Sequence, residues 1–164
     1  MKKMLIASLS LVLVQSLTAQ VYYYKAEWTM KNKHDLFTGI CRIEIKDQGV
    51  VKGELVWKFL AVDSTDQSMM DMYKGKKGRT GIEYTEGTYT SSTHDIFFEG
   101  KDKDDPYEVL GLDKYSLKIS DNKQVLYGTT ATGGTNSGLF YAIRLNAVDG
   151  AKKFSAAKAK CKKK

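Results

Sequence analysis

The longest irregular segment, residues 63–79, contains the side chains best suited to contact a ligand. Met69, Met72 and Tyr73 would share one face of a short helix there, because residues three and four positions apart are neighbours on a helix. Methionine adapts its shape to irregular apolar surfaces. The segment is therefore either a lid that admits an apolar ligand or a plug that closes one end of the fold.

Two charged clusters have residue types that bind ions. The run Gly-Lys-Lys-Gly-Arg-Thr-Gly at residues 75–81 lacks the residue order of a P-loop, which favours a solvated basic loop. Asp102, Asp104, Asp105 and Glu108 offer carboxylates at the close spacing that suits Ca²⁺. The glycine and the distal glutamate of an EF-hand loop are missing, which favours a solvated acidic turn.

No combination of residues in the sequence has the pattern of an enzyme active site. The two histidines, His34 and His94, fall in separate predicted turns, so a Zn²⁺ site would require those turns to meet. A nucleophile elbow, a dinucleotide fingerprint and a Ser-His-Asp signature are all absent from the sequence. We predict a non-catalytic protein with no metal and no cofactor.

The two cysteines, Cys41 and Cys161, leave two states open. A disulfide between them would close a loop of about 120 residues and stabilise the fold by about 4–5 kcal/mol. However, Cys41 lies in a predicted strand among apolar residues, where a solvated C-terminal tail would reach it with difficulty. The alternative is a buried free Cys41 and an exposed free Cys161.

The first twenty residues have the organisation of a bacterial signal peptide. Lys2 and Lys3 precede an apolar run from Met4 to Leu17, and Thr18-Ala19-Gln20 supplies small residues for cleavage after Ala19 or Gln20. The run is shorter than the roughly 20 apolar residues of a transmembrane helix. We therefore expect a periplasmic or secreted mature protein.

The formal net charge of +7 over 164 residues is unevenly distributed. Residues 151–164 carry seven lysines and no acidic residue, whereas residues 20–150 hold 17 basic and 19 acidic residues, a net charge of −2. We predict a basic C-terminal tail that makes weak contact with anionic surfaces, and no specific contact with nucleic acid.

Between the signal peptide and the tail, short strands alternate with turn residues every eight to twelve positions, which is typical of an all-β barrel or sandwich. The clearest hairpin lies on either side of Asp47-Gln48-Gly49, where apolar and polar residues alternate on both sides. Strands are predicted over residues 21–30, 36–46, 50–60, 80–90, 95–100, 114–120, 124–132 and 137–145. We predict a single domain over residues 21–150, an eight-stranded antiparallel up-and-down barrel, with a β-sandwich as the alternative.

With Trp28 on the first strand and Arg144 on the last, this meander resembles the calycin architecture of lipocalins and avidins. The resemblance implies that Trp28 packs near Arg144 at the barrel floor, an arrangement stabilised by cation–π attraction. The chain has Ala26 where lipocalins place a glycine two residues before the tryptophan. The resemblance implies an architecture and no ligand.

These patterns favour an exported binding module whose barrel mouth lies between residues 61–80 and the loop at 101–112. The expected occupant is a small apolar molecule or an envelope protein, and the alternative is a structural or protein-interaction domain with a filled barrel. Interior bulk distinguishes the two: Phe59, Phe98 and Tyr115, with Trp57 and Tyr141, would fill the lumen. The candidate ligand-contacting residues are Trp57, Met69, Met72, Tyr73 and Tyr141.

Overall fold

The structure is a computed structural model that describes residues 19–30, 36–62, 65, 67–132 and 136–161. The predicted signal peptide lies outside these ranges except for its last two residues. The strands are β1 (Gln20–Met30), β2 (Leu36–Ile45), β3 (Val50–Ala61), β4 (Thr80–Thr90), β5 (Asp95–Asp104), β6 (Lys114–Ile119), β7 (Val125–Thr132) and β8 (Asn136–Leu145); the helices are α1 (Gln67–Met72) and α2 (Ala147–Cys161). Within the described ranges, neither helix is both long and apolar enough to cross a membrane.

The eight strands form one closed antiparallel barrel. Each strand pairs with its neighbours in sequence, and β8 returns to pair with β1, with Tyr24 opposite Arg144 and Trp28 opposite Phe140. The predicted eight-stranded barrel is confirmed, and the sandwich alternative is wrong. Seven strands begin and end within one residue of their predicted bounds, because period-two alternation and turn residues mark the ends of the hairpins. The exception is β5, which extends to Asp104, beyond its predicted end at residue 100.

Large side chains fill most of the barrel interior. Tyr24, Phe98, Tyr115 and Phe140 are each at most 2% exposed. Tyr115 packs between two of these rings, with its ring centroid 4.7 Å from that of Phe98 and 5.8 Å from that of Phe140. Phe59 and Trp57 are also buried, so four of the five predicted lumen residues lie inside.

Tyr141, the remaining residue predicted to fill the lumen, lies on the outside of the barrel. Leu139, Tyr141 and Ile143 are 48–52% exposed, whereas Phe140 and Ala142 point into the interior. The prediction that Tyr141 lines the mouth is therefore wrong. The reason is that both alternating sets of β8 contain apolar residues, so the pattern of this strand does not distinguish its two faces.

The C-terminal segment packs against the outer wall of the barrel as α2, where the sequence predicts a solvated tail. The Asn146 side chain caps α2 by accepting a hydrogen bond from the Asp149 N–H at 2.9 Å. Phe154 is buried, with its ring centroid 6.0 Å from that of Tyr23. Lys158 pairs with Glu54 on β3. An apolar stripe on the helix, which includes Phe154, Ala157 and Cys161, holds the segment against β1–β4.

Candidate functional site

A cavity of about 340 Å³ opens at the end of the barrel where β3 joins β4 and β5 joins β6. Met72 and Tyr73 from the β3–β4 connection and residues 108–111 from the β5–β6 loop line it. They fall within the two segments expected at the mouth, residues 61–80 and 101–112. Its described lining residues are Trp28, Met30, Phe37, Trp57, Met72, Tyr73, Glu83, Glu108, Val109, Leu110, Gly111, Asp113 and Tyr115. The cavity lining thus combines aromatic residues with three acidic residues, Glu83, Glu108 and Asp113.

Contacting aromatic rings form the upper wall of the cavity. The centroid of Phe37 lies 5.4 Å from that of Trp28, in an edge-to-face arrangement, and 5.3 Å from that of Phe59. Tyr73 stacks on Phe59 at 4.5 Å. Such pairs hold one another rigidly and offer a broad apolar surface. The wall is therefore held by contacts among its own rings.

Two loop contacts fix the rim of the cavity. The Tyr73 hydroxyl reaches the Val109 carbonyl at 3.4 Å, and Lys76 donates a hydrogen bond to the Glu108 carbonyl at 3.0 Å. The Asp105 carboxylate accepts hydrogen bonds from the Val109 and Leu110 N–H groups at 3.0 and 2.7 Å. Asp105 therefore holds the loop in shape.

Glu83 on β4 is the polar centre of the cavity, and it is 2% exposed. The Asp113 N–H donates to its Oε1 at 2.9 Å, and the Tyr115 hydroxyl donates to its Oε2 at 2.5 Å. Trp57 supplies a further side-chain hydrogen bond. Within the described ranges, no lysine, arginine or histidine forms an ion pair with this carboxyl group.

Burial raises the pKa of Glu83 to about 7, even though the hydrogen bonds from Tyr115, Asp113 and Trp57 favour its charged form. Burial also raises the pKa of Tyr115 and of Cys41, both of which lie close to Glu83. Glu83 therefore changes charge near neutral pH, while its two neighbours stay protonated there. The floor of the cavity is neutral in mild acid and negative in mild base.

Two glycines make room for the polar centre. A methyl group added at Gly39 would come within 2.6 Å of the Val56 carbonyl oxygen and 2.7 Å of Trp57 Cε3. A methyl group added at Gly100 would collide with Glu83 Oε1. These positions allow the Trp57 ring and the Glu83 carboxyl group to lie flat against the neighbouring strands.

Three of the five candidate ligand-contacting residues meet at this cavity. Trp57, Met72 and Tyr73 line it, with Met72 about half exposed. Met69 lies in α1, but its side chain is outside the described part of the structure. Tyr141 faces solvent on the outer wall.

The packing of Trp28 near Arg144 implied by the calycin resemblance is not present. Trp28 lines the cavity and donates a hydrogen bond to Thr130 Oγ1 at 2.6 Å. Arg144 lies near the opposite end, with its guanidinium carbon 4.7 Å from the ring centroid of Tyr22. The register separates the two residues by four positions along each strand, about 13 Å.

Both cysteines are free and buried in this structure. Cys41 belongs to the barrel interior, whereas Cys161 belongs to the cluster between α2 and the outer wall. The strand wall separates these two clusters, so the disulfide considered from the sequence is not formed. Cys161 is covered because α2 packs against the barrel.

The remaining candidate ligands for metal ions lie apart from the cavity, except Glu108. Asp102 and Asp104 belong to β5, which extends four residues beyond its predicted end. His94 pairs with Asp121 at 2.8 Å in the turns at the other end, and His34 lies outside the described residues. Within the described ranges, no three His, Cys, Asp or Glu side chains cluster to hold a metal ion.

Sequence reasoning missed Glu83, Phe37 and Trp28 as residues of the cavity. Phe37 could have been identified, because it shares a face with Cys41 at one end of β2. Glu83 could not have been identified in this way, because the apolar residues beside it, Ile82 and Tyr84, make the opposite side of β4 look like the interior face. Those two residues are covered from outside by α2.

The fold and the site together define a class: a closed eight-stranded antiparallel barrel, consistent with a calycin-like barrel, with an aromatic cavity and a buried carboxyl group at one mouth. Comparison with family models, curated proteins and solved structures finds no match for this chain.

Proposed function

We propose that this chain is an exported, non-catalytic protein that binds a small apolar molecule in the cavity at the barrel mouth. The observation that carries the proposal is a cavity of about 340 Å³ with aromatic walls and one buried polar centre. Small-molecule sites are typically apolar clefts of about 300–1,000 Å³ with a few well-placed polar groups.

The packing below the cavity limits how a ligand enters. Phe98, Tyr115 and Phe140 occupy the middle of the barrel, so the ligand is held at the mouth and does not pass through the lumen. The same packing also agrees with the alternative, a structural or protein-interaction domain with a filled barrel. The cavity at the mouth is the feature that favours ligand binding over that alternative.

The predicted signal peptide supports export. The barrel begins at Gln20, so cleavage after Ala19 leaves β1 whole. Cleavage after Gln20 removes only the first residue of that strand. Either site releases a complete barrel.

Replacing Tyr73 with alanine tests the proposal, with the neutral apolar dye N-phenyl-1-naphthylamine as the probe. We expect dye fluorescence to rise on binding to the wild type, and Tyr73→Ala to weaken binding by about tenfold because the stacked ring is lost. Tyr127→Ala on the outer wall is the matched control and should leave the affinity unchanged. Mass spectrometry of protein purified from its own host would show the cleavage site and any retained ligand.

Absence of dye binding by the wild type would refute the binding function and favour the structural alternative. Equal losses for Tyr73→Ala and Tyr127→Ala would show that the dye binds elsewhere.

A further inference from the structure

All three charged residues among the described lining residues of the cavity are acidic. Glu83 lies at the floor, while Glu108 and Asp113 lie on the loop that borders the cavity. Lys76 lies at the rim, where it donates to a backbone carbonyl, and it is not a lining residue. Residues 20–150 hold 17 basic and 19 acidic residues, so their nearly balanced composition does not by itself produce an all-acidic lining.

The ionised Glu83 carboxylate has the capacity to accept one more hydrogen bond. An ionised carboxylate accepts about four hydrogen bonds, and Asp113, Tyr115 and Trp57 supply three of them. A buried carboxylate without a cationic partner is costly, and a ligand ammonium group would offset that cost.

Aromatic side chains surround the same carboxyl group. Trp57 and Tyr115 both hydrogen-bond to Glu83, and Phe37 continues the wall towards the rim. Aromatic faces attract organic cations through the ring quadrupole, and they also bind apolar groups. A carboxyl group in an aromatic cavity thus suits a molecule that is both cationic and apolar.

We propose that the ligand is an organic cation, an aromatic or other apolar body bearing a protonated amine that binds the Glu83 carboxylate. This inference rests on the proposed binding function and names its ligand class. The groups that face Glu83 are Asp113 and Tyr115 from β6 and its preceding loop, Trp57 from β3 and Cys41 from β2. None of these side chains is a cation that competes with the ligand amine.

Calorimetry with three matched indoles tests the ligand class: tryptamine, the neutral tryptophol and the anionic indole-3-propionate. At pH 8.5 we expect tryptamine to bind at least about tenfold more tightly than tryptophol, and indole-3-propionate to bind most weakly. At pH 5.5 the advantage of tryptamine should shrink, because Glu83 is then protonated.

Two variants locate the effect. Glu83→Gln should remove the preference for tryptamine over tryptophol, so that the two indoles bind with similar affinity. Glu86→Gln should change nothing, because Glu86 lies on the outer face of the same strand and pairs with Lys52 at 2.7 Å.

Tryptophol or indole-3-propionate binding as tightly as tryptamine at pH 8.5 would overturn the inference. The inference would also be overturned if Glu83→Gln still preferred tryptamine over tryptophol, or if the wild type showed the same preference at pH 5.5 as at pH 8.5. If the neutral dye binds while the amine preference fails, the proposed binding function stands and only the ligand class is wrong. If neither the dye nor any indole binds, the binding function itself fails.

Discussion

At the scale of single residues, Glu83 links the stability of the barrel to the chemistry of its cavity. Placing a carboxyl group inside an apolar barrel is unfavourable whenever that group is charged. The hydrogen bonds from Tyr115 and Asp113 reduce this cost without abolishing it, since the pKa of Glu83 is still raised to about 7. A carboxyl group buried at such a cost supports the proposed ligand-binding function, because packing alone would be served better by an apolar side chain.

The raised pKa of Glu83 predicts how stability depends on pH. Below about pH 4.5 the carboxyl group is protonated in both the folded and the unfolded chain, so its contribution is constant. Between about pH 4.5 and 7 the unfolded chain loses its proton first, so the folded state loses roughly 3 kcal/mol as the pH rises. Glu83→Gln removes this loss, and its stability relative to the wild type should therefore increase from pH 4.5 to pH 8.

Urea unfolding of both proteins at several pH values measures that difference. Surface carboxylates such as Glu44 and Glu86 have lowered pKa values and favour folding at higher pH. They are present in both proteins, so their effect cancels. A stability difference that stays constant between pH 4.5 and 8 would contradict the assignment of a raised pKa to Glu83.

At the scale of elements, the sequence predicts where the strands lie better than it predicts which way they face. The β2–β3 hairpin is specified at both ends by alternation and by Asp47-Gln48-Gly49, where Gln48 and Gly49 adopt φ values of 63° and 77°. The sequence does not show which side of β4 faces the barrel interior. Ile82 and Tyr84 are apolar like interior residues, but they lie on the outer wall under α2. Without α2, Ile82 and Tyr84 are assigned to the interior, and Glu83 is then assigned to the outer face.

The sequence does not predict helix α2 because its apolar residues are mostly alanines, and the only larger ones, Val148, Phe154 and Cys161, lie among four lysines. The signals were Asn146 as the capping residue and the spacing of Phe154, Ala157 and Cys161, which places them on one helical face. These features predict a packed helix only if the barrel has an apolar outer surface against which the helix can pack. That surface is formed by outward residues on four strands, which no local window of sequence brings together.

Phe154→Ala tests how firmly α2 is held. The buried ring contacts the outer-wall cluster, so its removal should lower the free energy of unfolding by about 3 kcal/mol. Val148→Ala is the control in the same helix, since Val148 is 80% exposed and should change stability by less than about 0.5 kcal/mol. Similar urea midpoints for both variants would show that α2 contributes little to the fold.

At the scale of the whole molecule, charge is separated between the barrel and the helix on its wall. Residues 20–150 carry a net charge of −2, and the cavity at the mouth is acidic. The seven C-terminal lysines include Lys152, Lys153 and Lys160, which are exposed on α2. An anionic surface would therefore meet the side of the barrel that carries α2.

This arrangement decides how the expected contact with anionic surfaces should be tested. Deleting residues 151–164 would remove Phe154 together with the lysines, so loss of fold and loss of charge could not be separated. Replacing Lys152, Lys153 and Lys160 with glutamine keeps the buried face of α2. We expect this triple variant to bind phosphatidylglycerol vesicles about tenfold more weakly or worse, and wild-type binding to fall as salt is raised from 50 to 500 mM.

A second triple variant with the same change of charge, Lys25→Gln, Lys74→Gln and Lys77→Gln, separates position from net charge, because these three exposed lysines lie on β1 and in the connection between α1 and β4. If contact is made through α2, vesicle co-sedimentation of this variant should stay close to that of the wild type. Equal losses in the two triple variants would instead mean that the net charge alone attracts the protein to the surface. The basic face of α2 would then have no role of its own.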